Sequence, residues 1–495
     1  MGAPEFEQTY AAAVPELSTA WRAAAVSEPR LLIVDGTLIA DLGLDAEWFA
    51  GPEGLRLLVG DVPDSRPTYA QGYAGHQFGS YSPVLGDGRA LLLGEFVARD
   101  GVRRDLHLKG SGRTPYARGG DGLAVVGPML REYLMGVAMQ ALGIPTTRAL
   151  AVVATGDLVR RERPLPGAIL ARVARSHLRV GTVQYAAASG RRDLLRGVAD
   201  HAIDRHHPAA RESDDPYLAL LESVARSQAS LVAQWMSVGF VHGVMNTDNT
   251  TLSGETIDYG PCAFIDVHDP RAVFSSIDHR GRYAYGNQPV IIQWNLARLA
   301  EALLPLIGRS PHELDTLEGT TLPEPTEAAV EAATDVLVRV PDLYDETYLP
   351  LMARKLGIDA VGAGEDLRGL VTDALGLLSA HHIDHTRFFR ALANGAAREL
   401  FTDPAPFDAW SQRRAAVLLG DAEETAAAMR AVNPHIVPRN HVVEDVLTAA
   451  TEGDLGPFER VVEALRHPFE DETIVPELAE PAPSTAAPYV TYCGT

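Results

Sequence analysis

The sequence predicts an α+β protein in two parts: a mixed, strand-rich segment over residues 1–185 and a mainly helical one over 186–480. A tail over 481–495, rich in proline and alanine, is expected to be flexible. Two observations carry the division. Up to about residue 180 the apolar residues fall in short runs broken by glycine turns, as in RALAVVATGDLVRRE and GAILARVARSHLRVG. After Thr182 the pattern becomes helical, led by DPYLALLESVARSQASLVAQWMSVG.

Bulk properties narrow the function. The chain has 495 residues, 46% hydrophobic and 22% charged, an ordinary globular balance. A formal charge of -22 argues against a nucleic-acid partner, which needs a basic face. Two cysteines, Cys262 and Cys493, cannot build a disulfide framework and suit a reducing compartment. The N-terminal stretch carries early acidic residues and lacks the apolar core of a signal peptide. No apolar run is long enough to span a bilayer, so no membrane partner and a cytoplasmic location are expected.

In chain order, LLIVDGTLIADL reads as strand, with a hairpin turn at Asp35-Gly36. From Tyr69 to Glu95 the chain is rich in glycine, and Leu85-Gly86-Asp87-Gly88-Arg89 reads as a tight turn feeding the strand ALLLGE. A plain hairpin explains that turn; the functional alternative is a loop whose N–H groups and Arg89 approach phosphates. In DLHLKGSGRTPYARGGDG, Leu106 and Leu108 alternate with His107 and Lys109. Lys109 therefore ends a strand ahead of a basic, glycine-rich loop holding Arg113, Arg118, Asp121 and Gly122.

PMLREYLMGVAMQALG is a helix with Leu130, Leu134, Val137 and Ala141 on one stripe. Glu132 lies on a second face beside Met135, Gly136 and Met139, where a carboxylate needs a cation. Lys109 is the natural candidate. Arg172, Arg175 and Arg179 sit in a run too apolar for a loop; they make either an exposed edge or a phosphate clamp. On a straight strand Arg172 and Arg179 would face opposite ways, so a joint role needs a bend. Further on, IIQWNLARLAEALLPLIG is an apolar helix, and 310–465 reads as helices. His381, His382 and His385 read as helix-surface histidines rather than a zinc site.

The stretch His242–Gly260, HGVMNTDNTTLSGETIDYG, gives these parts a purpose. Protein kinases hold their metals with an Asn from a His-Arg-Asp-x-x-x-x-Asn loop and an Asp from Asp-Phe-Gly. Counted from His242, Asn249 stands at the position of that Asn and Asp258 heads the triplet Asp-Tyr-Gly. Val244 stands where the kinase base would be, and valine accepts no proton. Asp248, beside Asn249, is the substitute carboxylate. With the Lys109–Glu132 pair, the fold class becomes a two-lobed, protein-kinase-like one. Its metal site is kept and its ordinary base is missing.

Seven blocks then name a family: YAGHQFG, LGDGRA, LHLKGSGRTPYARGGDG, REYLMG, SHLRVGT, HGVMNTDNT and DYGPCAFID, over roughly Tyr69 to Tyr285. Together they resemble the selenoprotein O (YdiU) family, and the Cys-Gly-Thr end fits its bacterial members. The resemblance implies a pseudokinase that transfers AMP from ATP, with Mg2+ or Mn2+, to Ser, Thr or Tyr hydroxyls of protein substrates. It implies nucleotide contacts from Gly86, Gly88, Arg89, Asp121 and Gly122, and phosphate contacts from Lys109, Arg172 and Arg179. Glu132 would position Lys109, Asn249 and Asp258 would bind metal, with Asp258 also near the nucleotide, and Asp248 would take the proton. Eukaryotic members carry selenocysteine near the C-terminus, where this chain has Cys493. Some members pair the tail with the active-site region through a disulfide; here Cys262 is the only partner, and two unrelated thiols are the preferred reading. A γ-phosphoryl kinase with Asp248 as displaced base, UMP transfer from UTP, and a non-catalytic nucleotide-binding scaffold stay open.

Overall fold

The computed structural model describes residues 4–418, 420–483 and 489–491. It is a mixed α and β structure, with one seven-stranded sheet and many helices. Across the sheet the strands run Ser18–Ala20, Tyr69–Gln71, Ala90–Val97, Arg103–Lys109, Pro164–Ala174, Arg148–Arg160 and Arg30–Val34. All neighbouring pairs are antiparallel.

Both faces of this sheet are covered, which decides how its sequence must be read. Leu106, Leu108, Ile169 and Val173 pack on one side with Leu38, Phe49 and Leu58. On the other, Ala168 and Leu170 pack with the Val126–Ala141 helix and the helices behind it. Period two therefore does not separate wet from dry here: His107 is as buried as Leu108. The Val126–Ala141 helix is likewise buried on two faces, Leu130 and Leu134 on one stripe, Met135 and Met139 on the other. The carboxylate between them, Glu132, is buried.

The Asp35-Gly36 hairpin is not formed. The strand stops at Val34, and Gly36–Leu42 is a helix. Asp35 caps it, its Oδ1 accepting the Leu38 N–H at 3.0 Å. An N-cap aspartate followed by glycine carries the same two letters as a hairpin turn, and the capping bond won.

Beyond Thr182 the chain is helical apart from short strands, with Pro216–Val238 and Gln288–Leu303 where the apolar patterns predict them. A separate hydrophobic cluster, including Met352, Leu378, Phe388 and Trp410, holds the 340–430 helices together. His385 corrects a second expectation. It is buried rather than on a helix surface, its Nδ1 3.1 Å from the Nδ1 of His268. Among the described residues no cluster of histidine, cysteine and carboxylates forms a metal site of its own. No helix among them is long and apolar enough to cross a membrane. In the tail, the Thr491 hydroxyl donates to Pro261 O and Phe274 O, each at 3.0 Å, and Tyr489 donates to Glu444 at 2.6 Å.

Candidate active site

The sheet register brings the first charges together. His107 stands opposite Arg172 and Lys109 opposite Leu170, so Lys109, His107 and Arg172 share one face. Glu132 meets that face from the helix above. Its Oε2 lies 2.6 Å from Lys109 Nζ and its Oε1 2.9 Å from an Arg172 Nη. Asp258 closes the group, with Oδ1 2.7 Å from both Lys109 Nζ and Arg172, and Oδ2 3.0 Å from Arg179.

Arg179 reaches the same carboxylate because the strand ends at Ala174. The chain turns away there, and Arg179 stands at the N-cap of the Val180–Ala188 helix. This is the bend a joint role requires. Arg175, the third arginine of the run, is not brought in; its N–H donates to Glu255 instead. Arg179 also donates to the Asp248 carbonyl at 2.7 Å and stacks on Tyr73 at 4.6 Å.

Three cations thus surround two carboxylates, a surplus of positive charge in a chain of net charge -22. Burial works against ionised Asp258, but Lys109, Arg172 and Arg179 outweigh it and hold the carboxyl well below its usual range. Asp258 has φ +62°, a left-handed conformation that costs a non-glycine residue about 1 kcal/mol. The ion pairs keep it there.

A supporting layer escaped the sequence reading. Arg172 Nε donates to His177 Nε2 at 3.2 Å, and His177 Nδ1 stands 3.0 Å from Asp105. His177 stacks on His107 at 4.0 Å, and His107 Nε2 lies 3.0 Å from Asp87. Burial holds His177 neutral, far below its ordinary range. The one available signal was Asp87 in the Gly86–Gly88 turn, where it reads as a turn former. Its buried carboxylate instead ties that turn to the sheet, also accepting from Gln71 N at 3.0 Å.

Asp248 and Asn249 lie in a single 3-10 turn, Thr247–Asn249. Asp248 is 7% exposed; burial pushes its carboxyl up to about 6 although Arg179 pulls it down. Its Oδ2 accepts from Gln77 Nε2 at 3.3 Å, while its buried Oδ1 has no hydrogen-bond partner among the described residues. Gly75 packs so closely that an added Cβ would stand 2.5 Å from that Oδ1. Asn249 uses Nδ2 to hold the Val244 carbonyl at 2.9 Å, which leaves its amide oxygen for a ligand. Val244 is buried beside it and carries no acid–base chemistry.

These groups face a cavity of about 940 Å3, also lined by Gly86, Gly88, Arg89, Asp121 and Gly122. At Gly86 (φ +75°) a Cβ would meet the Tyr116 ring at 2.4 Å, so the turn needs glycine on two counts. Asp121 sits toward the rim, paired with Arg161 at 2.7 Å. Asn249 and Asp258 offer hard oxygen donors, few enough to suit a cation completed by phosphate and water, and the unpartnered Asp248 oxygen is a further acceptor. The residues fit a divalent ion. Cys262 is buried and forms no disulfide among the described residues; burial pushes its thiol up to about 11. Cys493 lies outside the described residues.

Glu255, near this site, yields a stability test. Burial lifts its carboxyl from the ordinary glutamate range to about 7, although Ser253 and the Arg175 N–H favour the ion. A raised carboxyl costs nothing below the ordinary range and destabilises the fold as pH rises through 7. Glu255→Gln should therefore raise the melting temperature at pH 8 by about 1–2 °C, after discounting for its partial exposure, and by much less at pH 5. Equal shifts at both pH values would refute the assignment.

A family model described as "Protein adenylyltransferase SelO" matches residues 3–466. The chain is also similar to proteins named "Protein nucleotidyltransferase YdiU". That of Mycolicibacterium paratuberculosis is 54% identical over 493 residues, covering 97% of this chain and 96% of its own. That of Pseudarthrobacter chlorophenolicus is 52% identical over 497 residues, with 98% and 97% covered. That of Chromobacterium violaceum is 52% identical over 479 residues, with 94% and 97% covered.

Proposed function

The chain belongs to the SelO family of protein adenylyltransferases, and from that premise we propose that this nucleotidyltransferase moves AMP from ATP to Ser, Thr or Tyr hydroxyls of proteins, releasing pyrophosphate. The observation that carries the reading is the Lys109, Arg172 and Arg179 cluster on Asp258, facing a cavity that also holds the buried, half-unpartnered Asp248. In this reading the sheet and the helices behind it are the two lobes of a protein-kinase-like fold.

The surplus cations receive the β- and γ-phosphates, and Glu132 keeps Lys109 aimed when ATP displaces part of its hold on Asp258. The Gly86–Gly88 turn and Arg89 lie against the nucleotide, with Asp121 and Gly122 at the rim. Asn249 and Asp258 would hold a divalent cation, Mg2+ or Mn2+; when bound, it supplies charge neutralisation as pyrophosphate departs. Asp248 accepts the proton of the attacking hydroxyl. A carboxyl poised near 6 is charged at neutral pH and basic enough for that task. The hydroxyl oxygen bonds to the α-phosphorus, the α–β bridge breaks, and the bridging oxygen leaves with pyrophosphate, its charge met by Lys109, Arg172 and Arg179.

Val244 supports α- over γ-transfer, because the residue that would serve γ-transfer in a kinase is absent while Asp248 stands at another place. The purified chain with α-labelled ATP and a divalent cation should label itself or an added protein, and γ-labelled ATP should not. Label from the γ position would make it a kinase. Stronger labelling from α-labelled UTP would make UMP the transferred group.

A further inference from the structure

Beside the Asp248 turn lies a basic and aromatic patch that the chemistry above does not use. It is built on the hairpin Gly75–Gln77/Ser80–Ser82, whose Gln77 holds the Asp248 carboxylate. Next to Gln77, the Phe78 N–H donates to Asn246 Oδ1 at 3.1 Å and to the Tyr283 hydroxyl at 3.2 Å. Tyr283 in turn donates to Asn246 at 2.7 Å. The hairpin tip is thereby fixed against residues 278–283. At that tip, a Cβ added to Gly79 would stand 3.6 Å from the guanidinium carbon of Arg282.

Arg282 is held without being neutralised. Its guanidinium stacks over Trp294 at 4.7 Å and lies 5.7 Å from the Tyr283 ring centre. Its Nε is buried and has no hydrogen-bond partner among the described residues. Arg298, over the same Trp294 ring at 4.9 Å, is paired with Glu301 at 2.6 Å; among the described residues Arg282 has no such carboxylate within 4.0 Å. Asp278, the nearest acid in sequence, is committed to the backbone N–H groups of Arg282 and Tyr283 at 2.9 and 2.7 Å. A fixed, stacked guanidinium with no carboxylate partner among the described residues is suited to capture of a carboxylate.

Its position says whose carboxylate. Gln77, Phe78 and Ile277 line the cavity that holds Asp248, and Ile277 is half exposed at its mouth. A hydroxyl that reaches Asp248 from outside brings its own chain across this rim, past the hairpin and residues 277–282. Tyr81, 43% exposed and 4.9 Å from His76, offers an aromatic surface on the same hairpin. In a chain of net charge -22 most of the surface repels an acidic partner, so a local cation here decides orientation.

We propose that Arg282 docks a carboxylate of the acceptor protein, so that hydroxyls flanked by aspartate or glutamate are the favoured acceptors. The inference rests on the AMP-transfer reading and adds its acceptor class. The test uses the full chain, α-labelled ATP, and peptides bearing a single Ser, Thr or Tyr flanked by glutamates, against the same peptides with glutamine. Wild type should use the glutamate peptides with kcat/KM about tenfold higher, the size of one well-formed charge contact. Arg282→Gln should bring the two series to parity, Arg282→Lys should retain part of the preference, and Arg282→Glu should favour peptides flanked by lysine. The rise in melting temperature on ATP addition reports that each variant is folded. Equal use of both series by wild type, or a preference that survives in Arg282→Gln, would overturn the docking role and leave AMP transfer standing. Absence of α-label on every peptide and protein would overturn AMP transfer, and the acceptor class with it.

Discussion

Asp258→Asn should lower α-label transfer by on the order of 10³-fold or more, while ATP binding measured without metal persists. The carboxylate has two duties. It is one of two oxygen ligands proposed for the cation, and it is the counter-charge of three buried or half-buried cations. Removing its charge reduces the first duty to that of a neutral amide oxygen, so added Mg2+ or Mn2+ should tighten ATP binding far less. It also leaves Arg172 and Arg179, both almost fully buried, with less compensation. A buried pair broken on one side costs about 3–5 kcal/mol. Glu132 still faces Arg172 and Lys109, so the loss should sit at the lower end and show as a fall in the ATP-free melting temperature. ATP should restore much of it, because its phosphates meet the freed cations. A variant that kept metal-stimulated transfer would remove Asp258 from the metal site.

Asp248→Asn should separate chemistry from binding. Loss of a general base lowers the rate by about 10²–10⁴-fold, whereas ATP affinity should change little, since no nucleotide contact is assigned to this side chain. Asparagine keeps the shape against Gly75 and can still accept from Gln77, so the melting temperature should hold or rise: the unpartnered Oδ1 of a buried carboxylate is costly to the fold. Lost transfer with a preserved or raised melting temperature is the signature of a group kept for chemistry. Equal transfer by wild type and variant would show that the hydroxyl loses its proton elsewhere.

Much of this site could be read from the chain because the relevant groups are tied to local structure. Lys109 at a strand end, Glu132 on the soft face of a helix, and Asp248, Asn249 and Asp258 within one polar stretch are all placed by short-range rules of period and spacing. Gly86 belongs with them, since its φ of +75° favours glycine whatever lies around it. Elsewhere the local rules gave the wrong answer or none. Asp35-Gly36 carries the letters of a hairpin and caps a helix, because the outcome hung on whether Leu38 N–H was there to be accepted. His385 opens the His385–Ala393 helix and is buried because His268 and the helix ending at Val238 pack on it.

The sequence by itself determined the chemistry: which groups are acids, bases and cations, and that Val244 carries no acid–base group. Tertiary structure decided which of them act together. Arg172 and Arg179 converge on one carboxylate because the strand ends between them; His177, His107 and Asp87 become a buried support because both faces of the sheet are covered; Gln77 meets Asp248 from 171 residues away. The physical reason is that a local rule sees only neighbours along the chain. Burial and charge pairing depend on what the rest of the chain brings to the other side.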